Sequence, residues 1–302
     1  MSVVGAGASL QILTSCGDSS TSVQDSSDDS IAQPGADASG ELKVDLPSDL
    51  QLVQRFPQVL VPGNLRLPIS LALSSGIISA SSDFKFPQTL LANVIDLSND
   101  KMLIENISAK LHGAEISLPY YPFNVEIAAA GNYSLIVYGG PYQGTAFSVL
   151  ERGQVSVPGE GDLLPSFDTP TFADHRQVEP ICTRQPKACP FHEVTLGDAL
   201  KLGVPIAYLV GTPAHCSTGT CSPALDGLID VATRVGDRAA FVHAEVYADE
   251  AATVIAPAVK ALELTFEPTL FIVDAKGKII KRLDAVYDAL EISDTLASVG
   301  IS

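Results

Sequence analysis

Five cysteines are the residues of this chain with the clearest chemical potential, and four of them fall into two close pairs. Six residues separate Cys182 from Cys189, and four separate Cys216 from Cys221. Thiols at such spacings can form a disulfide, exchange it with another protein, or bind a soft metal ion. The sequence therefore offers two places for sulfur chemistry.

The second pair lies where a helix is predicted to begin. Ser222 is a suitable N-cap and Pro223 a suitable first helical residue. A helix N-terminus stabilises a thiolate through its free N–H groups and partial positive charge, which favours Cys221 as the nucleophile. His215 stands next to Cys216, and its imidazolium would stabilise a thiolate there instead.

Cys16 stands alone behind an apolar segment that is too short to cross a membrane, which takes about 20 apolar residues. Leu13-Thr14-Ser15-Cys16 resembles a bacterial lipobox. That resemblance implies a signal peptide ending near residue 16, lipidation of Cys16, and anchoring to the outer face of the cell membrane. Residues 17–42 are rich in Ser and Asp and are predicted to be a disordered acidic tether. The alternative is a disordered N-terminus with an incidental cysteine.

Charge and composition exclude some functions. The formal net charge is −17, and such a surface repels a phosphate backbone, so nucleic-acid binding is not expected. The sequence has neither a Gly-rich phosphate loop nor a dinucleotide fingerprint, so no nucleotide cofactor is implied. The hydrophobic fraction of 46% is sufficient for folded cores.

Residues 43–155 show an alternation of apolar and polar side chains that is typical of half-buried strands. It is clearest from Leu65 to Leu73 and from Phe123 to Ile127. Several short strands with turns between them predict a β-sandwich, and Gly131-Asn132-Tyr133 resembles the tyrosine corner of immunoglobulin-like folds. No catalytic constellation is predicted here, so the segment is interpreted as a spacer or adhesion-type module.

Residues 156–195 have the proline-rich composition of a connector. Cys182 and Cys189 lie in it and are predicted to form a structural disulfide, with relay of electrons to the second pair as the alternative. His192 is a candidate ligand. In residues 196–302, strand and helix patterns alternate in the order βαβαββα, which predicts a mixed sheet with helices on both faces.

This order, with Cys216 at the first strand-to-helix junction and Pro268 before the third strand, resembles thioredoxin. The resemblance implies a cis Pro268 beside the sulfurs, attack by Cys216 and resolution by Cys221. Thioredoxins have two residues between the cysteines and a buried acid on the first strand, and this chain has neither feature. The whole chain resembles actinobacterial exported lipoproteins, so the expected fold is multidomain, an all-β immunoglobulin-like sandwich followed by an α/β thioredoxin fold.

Three functions are weighed. The first is an exported thiol–disulfide oxidoreductase acting on extracytoplasmic proteins, with Cys216, Cys221, Pro268 and His215 as catalytic residues. The second is a copper-binding metallochaperone, because cytochrome oxidase assembly factors use a thioredoxin fold with two cysteines and a distant histidine. Cys216, Cys221 and His243 would be its ligands. The third is a non-enzymatic surface module with static disulfides.

Overall fold

A computed structural model of the chain describes residues 46–113 and 116–301. The lipobox with Cys16 and the acidic tether lie outside the described residues, so those predictions stay predictions. Within the described ranges, no helix is both long and apolar enough to span a bilayer.

The first half of the described chain forms two four-stranded sheets. Its strands are β1 (Gln51–Gln54), β2 (Gly63–Leu73), β3 (Gly76–Ile77), β4 (Thr89–Asp96), β5 (Lys101–Lys110), β6 (Tyr121–Ile127), β7 (Gly131–Val137) and β8 (Thr145–Val149). In one sheet β2 pairs with β1, β3 and β6; the other has the order β5-β4-β7-β8. All of these pairings are antiparallel.

Strands β2 and β6 pair from Gly63 opposite Ile127 to Ile69 opposite Tyr121. The predicted alternation holds at the end of β6, whose apolar side chains are buried and whose intervening ones are exposed. It does not hold in β2, where the polar Arg66 and Ser70 are buried as well. Arg66 is buried because the second half of the chain covers it, as described below.

The second half is built on one mixed sheet. Its elements are α1 (Leu196–Ala199), β9 (Ile206–Val210), α2 (Cys221–Val235), β10 (Ala240–Ala244), α3 (Pro257–Leu262), β11 (Thr269–Val273), β12 (Ile279–Asp284) and α4 (Ala289–Ser298). The strand order is β10-β9-β11-β12. Strand β10 runs parallel to β9, whereas β11 is antiparallel to both of its neighbours.

The connector packs into the core of the second half. Its apolar residues Ile181 and Phe191 join the cluster that α2 and α4 form over one face of the sheet. On the opposite face, Val157 and Leu164 pack beside the short helices α1 and α3. The connector covers much of this second face as irregular chain, so it is part of the folded body.

The predicted fold class, an immunoglobulin-like sandwich followed by an α/β thioredoxin fold, is wrong. The described chain is mostly β: 33% of it is strand, in three small sheets, and 16% is helix. Helical spacing at residues 254, 258 and 262 yields only the six residues of α3, because Ile255 forms a bridge with Tyr247 and Pro257 is the first helical residue. Irregular chain takes the place of the helices that an α/β layer would need.

A buried ion pair joins the two halves. Arg66 Nε lies 2.5 Å from Glu291 Oε1, and its Nη2 donates to Oε2 at 2.7 Å. The Tyr120 hydroxyl donates to the same carboxylate at 2.7 Å. Beside this pair, His112 Nδ1 lies 3.1 Å from both carboxylate oxygens of Asp288, the N-cap of α4. These contacts fix α4 against the sheet that contains β2.

Candidate functional site

The loop between β9 and α2 carries the later cysteine pair. Helix α2 begins at Cys221 with Thr220 as N-cap, so the predicted start at Ser222 and Pro223 is two residues too late. Pro223 is instead the third helical residue, a position that is tolerated because the first-turn N–H groups have no partner within the helix. Cys221 therefore occupies the first turn, and Cys216 lies in the loop before it.

The two sulfurs lie together at the start of the helix. Cys221 Sγ is 2.6 Å from Cys216 Sγ, and the Cys221 backbone N–H donates to Cys216 Sγ at 3.3 Å. The Thr218 hydroxyl lies 3.2 Å from the same sulfur. Cys216 is partly exposed, whereas only 1% of Cys221 is accessible. The free N–H at the start of the helix therefore donates to Cys216 and not to the side chain of Cys221.

These contacts separate the two thiols in acidity. The hydrogen bond from the Cys221 thiol, with support from Thr218 and backbone N–H groups, lowers the pKa of Cys216 to about 4 against the opposing effect of burial. Donation to Cys216, burial and the nearby Glu267 carboxylate raise the pKa of Cys221. Cys216 is therefore the more acidic and the more accessible of the two thiols. This arrangement favours Cys216 as the attacking sulfur.

Three chain segments meet behind the sulfurs. The Glu267–Pro268 peptide bond is cis. A Cβ on Gly211, just after β9, would lie 3.2 Å from Pro268 Cβ and 3.5 Å from Cys221 Sγ. A side chain at this position would therefore crowd Pro268 and touch the buried sulfur.

The carboxylate of Glu267 also lies beside the buried sulfur. Glu267 Oε2 lies 3.3 Å from Cys221 Sγ and accepts the backbone N–H of Thr212 at 2.8 Å. Burial raises the pKa of Glu267. A carboxyl group with a raised pKa, within reach of a buried thiol, is suited to taking up and returning the proton of that thiol near neutral pH.

Glu267 is a residue that the sequence analysis missed. The first strand carries no acid in residues 208–210, and the carboxylate beside Cys221 comes instead from the loop before β11. The available signal was its position directly before Pro268, which was already placed beside the sulfurs.

His215 does not join this group. Its ring packs edge-on against Tyr247, with the ring centroids 5.9 Å apart. Among the described residues, no hydrogen bond joins His215 to Cys216, whose sulfur faces Thr218 and Thr220 instead. The threonine hydroxyls therefore occupy the place that the sequence analysis gave to the histidine.

A second cluster lies behind the first. Cys182, Cys189, His192 and His243 are all buried, and their candidate ligand atoms lie within 4.8 Å of one another. Cys182 and Cys189 are free thiols in the structure, as are Cys216 and Cys221. His243, the histidine of the copper hypothesis, faces this cluster through Nδ1, which lies 3.5 Å from Cys189 Sγ.

No protein-family model matches the chain, and no curated protein and no solved structure matches it.

Proposed function

We propose that the protein is a thiol–disulfide oxidoreductase that acts on exported proteins through Cys216 and Cys221. The observation that carries this proposal is the contact set of Cys216 Sγ, which accepts the Cys221 N–H and lies 2.6 Å from the buried Cys221 sulfur. The lipobox-like segment ending at Cys16 supports a location on the outer face of the cell membrane, where disulfide chemistry occurs.

The contacts favour transfer of a disulfide to the substrate. Hydrogen bonds to the Cys216 thiolate stabilise the reduced form of the pair, and a stabilised reduced form makes a dithiol pair a stronger oxidant. Cys216 also becomes the better leaving group of the two sulfurs, because a thiol of lower pKa leaves faster. The proposed reaction is therefore oxidation of a substrate dithiol.

The reaction proceeds in two exchanges. A substrate thiolate attacks Cys216 in the Cys216–Cys221 disulfide, the bond between the two cysteines breaks, and Cys221 takes a proton from the Glu267 carboxyl. The second substrate thiolate then attacks the substrate sulfur of the mixed disulfide, and Cys216 leaves as a thiolate. The substrate gains a disulfide and the pair gains two electrons. Of the two protons that the substrate thiols release, one returns to Glu267 and the other goes to solvent. A second disulfide compound, such as oxidised glutathione, regenerates the pair.

The two alternatives have less support. For copper, the described residues near Cys216 and Cys221 add only Glu267 as a ligand, because His243 lies in the other cluster. A static module would not need the partial exposure of Cys216 or a carboxylate beside Cys221. Both alternatives predict that the protein does not catalyse exchange.

The proposal is tested by oxidation of a reduced two-cysteine substrate protein in oxidised glutathione. We expect the full chain to raise the oxidation rate at least tenfold, and Cys216→Ser to abolish that gain. With a single-cysteine version of the substrate, Cys221→Ser should accumulate a mixed disulfide at Cys216, identified by peptide mass mapping, because no second thiol is present to resolve it. Thr233→Ala, a change at an exposed position later in α2, is the control and should retain the activity. A rate equal to that of the uncatalysed reaction would contradict the proposal.

A further inference from the structure

We propose that Cys182, Cys189, His192 and His243 bind one Zn²⁺ ion in a structural site separate from the Cys216/Cys221 pair. Three of the ligands come from the connector, and His243 comes from β10. The accessible fraction is 8% for Cys182 and 0% for each of the other three. A set of two thiols and two imidazoles is the donor set of closed zinc sites in proteins.

Two of the six spacings between the donor atoms match the edges of a tetrahedron around zinc. Zn–N bonds of about 2.05 Å and Zn–S bonds of about 2.3 Å give tetrahedral edges of about 3.3 Å between two nitrogens and about 3.5 Å between nitrogen and sulfur. In the structure, His243 Nδ1 lies 3.2 Å from His192 Nε2 and 3.5 Å from Cys189 Sγ. Both edges agree with the expected values to about 0.1 Å.

The hydrogen bond of His243 leaves the correct nitrogen free. Its Nε2 lies 2.9 Å from the carbonyl oxygen of Gly211, and a carbonyl can only accept, so Nε2 carries the proton. The lone pair is then on Nδ1, the atom that faces Cys189 and His192. Zinc-binding histidines typically donate their second ring N–H to a carbonyl or carboxylate in this way.

A disulfide explains the cluster less completely. It would join Cys182 to Cys189 but leave His192 and His243 with only their 3.2 Å contact to each other, whereas one ion would engage all four side chains. Two thiolates and two neutral imidazoles instead balance the charge of Zn²⁺. A neutral site suits this depth, whereas Cu⁺ in the same four ligands would leave a net negative charge.

The site would also support the dithiol loop. The Gly211 carbonyl that orients His243 belongs to the residue that lies against Cys221 and Pro268. Four protein ligands leave no open position on zinc, which is typical of a structural site rather than a catalytic one. The ion would thus hold the connector on the sheet directly behind the exchange site.

The experiment measures metal in the full chain after reduction in the folded state and exposure to Zn²⁺ or Co²⁺. We expect one equivalent of zinc per chain, and with Co²⁺ the visible bands of a tetrahedral ion plus a thiolate charge-transfer band. Cys189→Ser and His243→Ala should each lower bound metal by at least tenfold. The Cys216→Ser/Cys221→Ser double variant is the control and should retain the full equivalent with an unchanged cobalt spectrum.

Several results would overturn the proposal. One is the absence of Zn²⁺ and Co²⁺ binding by the reduced, folded wild-type chain. This result does not depend on whether any variant folds. Another is loss of the cobalt spectrum in the Cys216→Ser/Cys221→Ser variant, which would place the metal at the dithiol. A third is binding of Cu⁺ with no binding of Zn²⁺. Failure of the proposed oxidoreductase activity would leave all of these measurements unaffected.

Discussion

The acidity of Cys216 can be tested by removing its closest donor. The thiol of Cys221 is the largest cause of the lowered pKa of Cys216, and Cys221→Ala deletes it. A hydrogen bond to a charged group contributes about 1.5–3 kcal/mol. At about 1.4 kcal/mol per pKa unit, the variant should raise the pKa of Cys216 by about 1 to 2. Cys221→Ser keeps an O–H donor and should change this pKa by less.

The assay is the pH dependence of alkylation at Cys216, with the modified peptide quantified by mass spectrometry so that Cys182 and Cys189 do not interfere. The midpoint is the informative quantity, rather than the rate at one pH. At pH 7 full ionisation raises the thiolate fraction about 30-fold over an ordinary thiol, whereas the lower nucleophilicity of an acidic thiolate reduces the rate by about 100-fold.

We expect a midpoint near 4 for the wild-type protein, a clear increase for Cys221→Ala, and a smaller one for Cys221→Ser. A wild-type midpoint near the ordinary thiol value of about 8.5 would refute the argument. Equal midpoints in wild type and Cys221→Ala would refute the assignment of the donor, and faster alkylation of Cys221 would refute the assignment of the nucleophile.

Three further predictions concern the proton acceptor and the junction of the two halves. Glu267→Gln should slow exchange at the buried thiol about tenfold or more in stopped-flow mixing, with Glu267→Asp intermediate, and an unchanged rate would exclude the proton role. Arg66→Met should lower the free energy of unfolding in urea by about 2–3 kcal/mol, because the largely buried Glu291 carboxylate keeps only the Tyr120 hydroxyl as a partner. Arg66→Met combined with Glu291→Leu should recover part of the loss, and a loss below about 1 kcal/mol would contradict this. Hydrogen bonding to Asp288 raises the pKa of His112 against the opposing effect of burial. The pair should therefore contribute about 1–2 kcal/mol to the free energy of unfolding below pH 6.5, and this contribution is lost as the pH rises through the higher folded pKa of His112. Asp288, whose pKa is lowered by His112 and two backbone N–H groups, loses its own contribution as the pH falls through its folded pKa, and His112→Gln should remove the loss at high pH from pH-dependent melting curves.

Local patterns predicted local structure well. The alternating side chains of β6 indicate a half-buried strand because alternation depends only on the strand itself. The burial of Arg66 on β2 could not be predicted in this way, since its partner Glu291 lies 225 residues away. The fold class failed for a related reason: helical spacing near residues 254–262 does not show that Ile255 bridges Tyr247 and shortens the helix.

The candidate site likewise combines contacts that are local in sequence with contacts between distant segments. Spacing alone brings Cys216 and Cys221 together, because only four residues separate them. Glu267 reaches Cys221 across 46 residues, and His243 reaches Cys189 across 54, so both contacts depend on the sheet that brings distant segments together. The sequence therefore pairs Cys216 with Cys221 and singles out Cys182, Cys189, His192 and His243, but it indicates neither the place of Glu267 nor the grouping of those four residues.

The most direct test of the exchange site is the reduction potential of the Cys216–Cys221 pair. The full chain is equilibrated in glutathione buffers of graded ratio, and each cysteine pair is quantified by mass mapping. The account predicts a Cys216–Cys221 potential well above about −300 mV, with Cys221→Ala losing the transition. A pair that stays oxidised in buffers below that potential, or two thiols that never join under oxidising conditions, would contradict it.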